Sequence, residues 1–270
     1  MKPQPLASIH PDAKLADDVI IEPFTTISAD VEIGSGTWIG PNVTIMDGAR
    51  IGKNCRIFPG AVISSVPQDL KYRGEKTTCQ IGDRTTIHEC VTISRGTNAA
   101  GTTRIGDDCL LMAYVHVAHD CILGNHVILA SYVGLTGHCE VDDYAIIGGL
   151  AGTHQFTKIG AHAMIGGGTL IRKDVPPYAK AGKEPISYLG VNSIGLHRRG
   201  FTSEKIDEIR DIYRILFQNG KNVSQALEII EKTMPATPER ENIITFVRAS
   251  QRGLMRGYTG VIDPDGEEED

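Results

Sequence analysis

Seven of the nine histidines lie between residues 88 and 162, and one of them, His119, is followed directly by Asp120. A neutral imidazole oriented by a carboxylate is a general base suited to a pH near 7. No Ser or Cys sits in a nucleophile motif, so such a base would serve direct attack by a bound hydroxyl or amine. Combined with an oxyanion donor, that would describe acyl transfer with a single general base. The six cysteines include no CxxC pair, which argues against zinc or redox chemistry, and in a chain of 270 residues they do not suggest a disulfide scaffold. What His119 can do depends on what the fold sets beside it.

The elements that would position it follow a six-residue period. Ile9, Leu15, Ile21, Ile27, Ile33, Ile39, Ile45, Ile51, Ile57 and Ile63 are all six apart. The pattern resumes at Ile81, Ile87 and Ile93, then runs from Ile105 to Ile171 with Thr153 as its one failure. The fifth position of each hexad is small or β-branched, and Gly repeatedly follows the aliphatic residue. An α-helix cannot use this period, whereas short strands between tight corners can. The chain is therefore expected to form a β-solenoid over residues 1–186. Three hexads would close a triangular coil of 18 residues, with positions one and five pointing inward and stacking about 4.8 Å apart. Cys55, Cys79, Cys109, Cys121 and Cys139 fall at position five and read as core. Repeated aliphatic columns would also explain how a chain with 6% aromatics fills a large core.

No insertion intervenes between Ile105 and Val175, so residues 18 apart there are vertical neighbours. His119, Gly137 and Gln155 form one column, Asp120 and His138 lie one step along on adjacent coils, and His154 lies beside Gln155. The Gly137 N–H is a candidate oxyanion donor. His88, His126 and His162 read as ordinary surface residues. Interruptions at 64–80 and 96–104 leave from or near the same face, and the first carries Asp69, Lys71 and Arg73 in PQDLKYRGEK. From about 187 the spacing becomes helical. Ile206, Ile209, Ile212, Tyr213 and Leu216 make an amphipathic stripe after Thr202/Ser203, and further helices are expected over Val223 to Lys232 and Pro238 to Ser250. This domain, 187–257, would cap the open end of the solenoid.

Six of the last eight residues are acidic, and without them Lys+Arg and Asp+Glu balance at 27 each. The charge of −6 thus belongs to a tail, 258–270, expected to be disordered. A neutral body lacks the basic face that nucleic-acid binding requires. No segment reads as a signal peptide or a membrane span, so a soluble cytoplasmic protein is expected.

The motifs QDLKY at 68–72, HVAHD at 116–120, GHCEVDDYAIIGG at 137–149, THQF at 153–156, DVPPY at 174–178, GVN at 190–192 and RRGF at 198–201 add a family resemblance. Together they resemble the hexapeptide-repeat UDP-N-acetylglucosamine acyltransferases that begin lipid A synthesis. The resemblance implies a left-handed parallel β-helix, a homotrimer, UDP-N-acetylglucosamine as acceptor and a 3-hydroxyacyl chain on acyl carrier protein as donor, with no cofactor or metal. It makes His119 the base, Asp120 its orienting partner and Gly137 the oxyanion donor. It places Asp69, Lys71, His116, His138, His154 and Gln155 around the nucleotide sugar, and Asn192, Arg198 and Arg199 at the uracil and diphosphate end. Gly167 matches the position where residue size limits the acyl pocket, which implies a donor of roughly 14 carbons or more. The chain departs from the pattern at Ile194, where the family carries a Glu, and at Pro185, where it carries a His. Either a hydroxyl or an amine at C3 of the sugar suits a neutral base. A rival on the same fold is a trimeric zinc lyase of carbonic-anhydrase type using His116, His119 and His138, which leaves QDLKY and RRGF without a task. A non-catalytic scaffold would lack the inserted loops.

Overall fold

The computed structural model describes residues 6–218 and 220–257. Most strands are two residues long, because each needs only to place one aliphatic side chain inward before the chain turns. They assemble into three flat faces of a left-handed parallel β-helix. The first sheet has nine strands, from Ser8–Ile9 to Leu170–Ile171, and the second has eight, from Lys14–Leu15 to Lys158–Ile159. The third has ten and ends in an antiparallel hairpin of Ala179–Gly182 and Ser187–Val191. Ile39, Ile57, Ile87, Leu111, Leu129, Ile147 and Ile165 stack inside the third sheet with no solvent exposure. Each such burial stabilises by roughly 1.5–3 kcal/mol. The five position-five cysteines are buried, and burial pushes the Cys79 thiol up to about 12, as befits an inert core residue.

Most corners turn on a fourth residue in the left-handed region. Tyr114, Asp120, His126, Tyr132, His138, Tyr144, Leu150, Phe156 and His162 all have φ between 57° and 65°. This left-handed conformation costs roughly 1–2 kcal/mol outside glycine. Coil-to-coil hydrogen bonds offset the cost, as where the N–H groups of His138 and Phe156 donate to the carbonyls of His119 and Gly137. Ring stacking adds to it: Tyr114 on Tyr132 at 4.9 Å, His138 on Phe156 at 4.6 Å, His126 on Tyr144 at 4.5 Å. His162 is not a free surface residue. It is sandwiched between Tyr144 and Tyr178, with Phe201 edge-on.

Both interruptions leave the corner from the first sheet to the second. Thr92 pairs with Val62 above and His116 below, so these coils hold 30 and 24 residues in place of 18. The insertions are therefore two hexads and one hexad net. Strands Val62–Ser65, Thr78–Ile81 and Thr102–Ile105 claim the ends of the expected interruptions, leaving loops 66–77 and 95–101.

The helices are α1 (Ser193–Arg198), α2 (Ser203–Gln218), α3 (Val223–Thr233) and α4 (Pro238–Ala249). The last three lie where the spacing predicts them. The helical region starts at Ser193 and not at 187, because Ser187–Val191 pairs back onto the third sheet. α2 buries Ile206, Ile209, Ile212 and Tyr213, whose hydroxyl donates to the Pro177 carbonyl at the end of the solenoid. Asp174, fully buried, accepts from the Lys158 N–H at 2.9 Å and the Ser250 hydroxyl at 2.6 Å and so ties this region to the last coil. The acidic tail expected at 258–270 falls outside the described residues.

Candidate active site

His119 and Asp120 occupy the third and fourth positions of the corner between the first and second sheets, between strands His116–Val117 and Ile122–Leu123. The His119 side chain is 7% exposed and that of Asp120 is fully buried. Nδ1 of His119 lies 2.8 Å from Oδ2 of Asp120. An ionised carboxylate only accepts, so Nδ1 carries the proton and Nε2 keeps a free lone pair. Burial pushes the Asp120 carboxyl up, but the Thr97 hydroxyl, His119 and the Thr97 N–H outweigh it and hold the group below the usual carboxylate range. One coil on, Gly137 packs against the ring. A Cβ there would come within 2.6 Å of Cε1 and 2.8 Å of Nε2 of His119, so no larger residue fits without displacing the imidazole. Among the described residues no acceptor lies on the Gly137 N–H.

The other site histidines share this face. His138 stands edge-on to His119 at 5.2 Å, with Nε2 3.7 Å from the Asp120 carboxylate. His116 points outward from the first sheet with Nδ1 2.7 Å from the Thr92 hydroxyl, and burial, then the nearby His119, lowers its pKa. His154 and Gln155 are exposed one coil beyond Gly137. Within one chain the three histidines of the zinc reading do not converge. His119, Asp120 and His138 converge within 4.8 Å, but His116 is outside that group. Both Asp120 oxygens already accept hydrogen bonds from His119 and Thr97.

Comparisons with known proteins bear on the family. A family model described as bacterial transferase hexapeptide (six repeats) matches residues 30–65 and 102–137, and one described as UDP N-acetylglucosamine O-acyltransferase, domain 2, matches 174–255. An acyl-[acyl-carrier-protein]–UDP-N-acetylglucosamine O-acyltransferase from Chlorobaculum parvum is 58% identical over 255 residues, 92% of this chain and 97% of that one. Its namesake from Chlorobium phaeobacteroides is 64% identical over 248 residues, 92% of this chain and 94% of that one. Among solved structures, the UDP-N-acetylglucosamine acyltransferase LpxA of Bacteroides fragilis is 48% identical and superposes with a TM-score of 0.92, covering 94% of this chain and all of that one. The chain belongs to the acyl-ACP–UDP-N-acetylglucosamine O-acyltransferase family.

As an acyltransferase of that family, the protein carries its expected site residues on three separate corners. Asp69 and Lys71 stand on loop 66–77, above His119, with Lys71 and Leu70 exposed and the Asp69 carboxylate accepting from the Lys71 N–H. Gly167 lies at the corner from the third sheet to the first, across the first sheet from His119. It is not itself in the left-handed region, unlike Gly168, but a Cβ on it would sit 3.1 Å from the Gly149 carbonyl oxygen. Asn192 caps α1 and donates to the His162 carbonyl. Arg199 reaches the Tyr144 carbonyl at 3.1 Å and lies over that ring at 5.3 Å, at the corner between the second and third sheets. Arg198 is exposed at the end of α1. One chain thus assembles His116, His119, Asp120, Gly137, His138, His154 and Gln155, and holds Gly167, Asn192, Arg198 and Arg199 elsewhere.

Two groups in this acyltransferase were not legible from sequence. Thr97 and Thr103 bracket Asp120, and Arg95 with Tyr72 locks the two inserted loops together through a 3.1 Å hydrogen bond. Neither loop carries the hexad, and without a register no sequence signal says which loop residue returns to which corner.

Proposed function

We propose that the protein transfers a 3-hydroxyacyl chain from acyl carrier protein to the 3-position of UDP-N-acetylglucosamine, the first step of lipid A assembly, in the cytoplasm. The observation that carries the reading is the buried His119–Asp120 pair with its Nε2 end set against Gly137. The sugar 3-hydroxyl oxygen attacks the thioester carbonyl carbon while Nε2 of His119 takes its proton. The carbonyl oxygen becomes an oxyanion facing the Gly137 N–H. Its collapse breaks the C–S bond, and the departing thiolate takes the proton from the His119 imidazolium. Asp120 holds the imidazole in the required tautomer and stabilises its charge. Asp69 and Lys71 hold the sugar from the loop above.

The positions of Gly167, Asn192, Arg198 and Arg199 on other corners support a homotrimer in which a neighbouring subunit's corner faces His119. Gly167 then limits the acyl pocket, and Arg198 and Arg199 meet the diphosphate. The test is transfer from 3-hydroxyacyl carrier protein to UDP-N-acetylglucosamine by wild type and His119→Ala. Loss of roughly 10²–10⁴ in rate at unchanged melting temperature is expected. Retention of more than about a tenth of wild-type turnover, against that range, would remove His119 from the mechanism.

A further inference from the structure

Asp120 is held by the second inserted loop as well as by its own coil. Its Oδ1 accepts from the Thr97 N–H at 2.9 Å, and its Oδ2 accepts from the Thr97 hydroxyl at 2.6 Å. That second oxygen is the one His119 uses. The Asp120 N–H donates to the Thr103 hydroxyl at 2.8 Å. Thr97 is 7% exposed and Thr103 not at all, so water does not compete for these bonds.

The loop is built to deliver Thr97. The Gly96 N–H donates to the Thr78 carbonyl and the Gly101 N–H to the Thr97 carbonyl, closing a tight turn. A side chain at Gly96 would overlap the Thr102 backbone, so glycine is what lets the turn fold this closely. Asn98 donates to Glu75 of the first loop at 3.0 Å. Other buried threonines, such as Thr25, Thr37 and Thr85, use their hydroxyls on backbone groups of neighbouring coils. The Thr97 hydroxyl instead donates to the Asp120 carboxylate at 2.6 Å, while accepting from the Ala99 N–H of its own loop at 3.2 Å.

We propose that Thr97 is a positioning residue for the acyl transfer, holding the Asp120 carboxylate in the orientation that keeps the proton on Nδ1 of His119 and Nε2 free. This rests on the reading of His119 as the base. Without the hydroxyl, Oδ2 loses its hydroxyl donor in a site closed to water. The carboxyl then rotates or takes up a proton, and in either case His119 loses the acceptor that fixes its tautomer.

The experiment compares wild type, Thr97→Val, Thr97→Ser and His119→Ala in the full chain, reading kcat, KM for UDP-N-acetylglucosamine, melting temperature, and the ¹⁵N shifts of the His119 ring. Thr97→Val should lower kcat on the order of tenfold or more, the usual weight of a hydrogen bond to a charged group. KM should be unchanged, the ring-nitrogen shifts should move, and Thr97→Ser should restore both kcat and shifts. Should Thr97→Val not fold, Thr97→Ala replaces it. An inactive His119→Ala beside a Thr97→Val enzyme of wild-type kcat overturns the proposal and leaves the base in place. Loss in Thr97→Val that Ser does not rescue, or that follows the melting temperature, overturns it in favour of simple loop anchoring. An active His119→Ala removes the base and this proposal with it.

Discussion

One methyl group at position 137 should separate shape from chemistry. An alanine Cβ there would lie 2.6 Å from Cε1 of His119, so the ring must swing away from its carboxylate. Displacement of a catalytic group by about 1 Å can cost on the order of 10² in rate. Gly137→Ala is therefore expected to lose about that much kcat, with melting and nucleotide-sugar KM unchanged. Steady-state kinetics beside a thermal melt checks it, and an alanine enzyme of wild-type kcat would contradict the geometry. The His119–Gly137 juxtaposition was legible in the sequence because the 18-residue register is unbroken between Ile105 and Val175. Thr97 was illegible for the opposite reason: its segment has no period, and its role exists only in the way the loop folds back.

The corner columns act as elements in their own right, and the one through Tyr144, His162 and Tyr178 joins the solenoid to the helices. Nδ1 of His162 is buried with no hydrogen-bond partner among the described residues. Burial first, then the charge of Arg199, pulls its pKa down to about 4 from an ordinary value near 6.5. The unfolded chain thus binds a proton that the folded one refuses as pH falls from about 6.5 to about 4, and stability is lost across that window. His162→Phe keeps the ring stack and removes the titration. Its melting temperature should fall less than that of wild type between pH 7 and pH 5, and parallel pH slopes for the two proteins would refute the link. The helices themselves were readable from apolar spacing and from Pro238 at a helix start. The hairpin over 179–191 was not, because its strands belong to neither a hexad nor a helical repeat and are fixed by pairing with each other.

At the scale of the whole molecule, the proposed site brings the three corners bearing expected site residues together across chains, so light scattering should report a trimer at working concentration. A monomer with full activity would break that account. The trimer should also place Gly167 along the acyl chain. Gly167→Met fills the space of several methylenes, at about 0.8 kcal/mol each, and should shift preference toward shorter donors by roughly 10²-fold in competition between long and short hydroxyacyl carrier proteins. An unchanged preference would exclude Gly167 from the acyl site. The two enlarged coils carry a separate implication. Because they exceed the standard coil by 12 and 6 residues, matching two hexads and one, each insertion enters and leaves the aliphatic columns in phase. Excision of 66–77 would join Ser65 to Thr78, and excision of 96–101 would join Arg95 to Thr102, with Ile63, Ile81, Ile93 and Ile105 still spaced in sixes. The solenoid is then a chassis with interchangeable cassettes at one edge: on this register a loop there can be removed, lengthened or exchanged in units of six residues with the aliphatic columns still in phase.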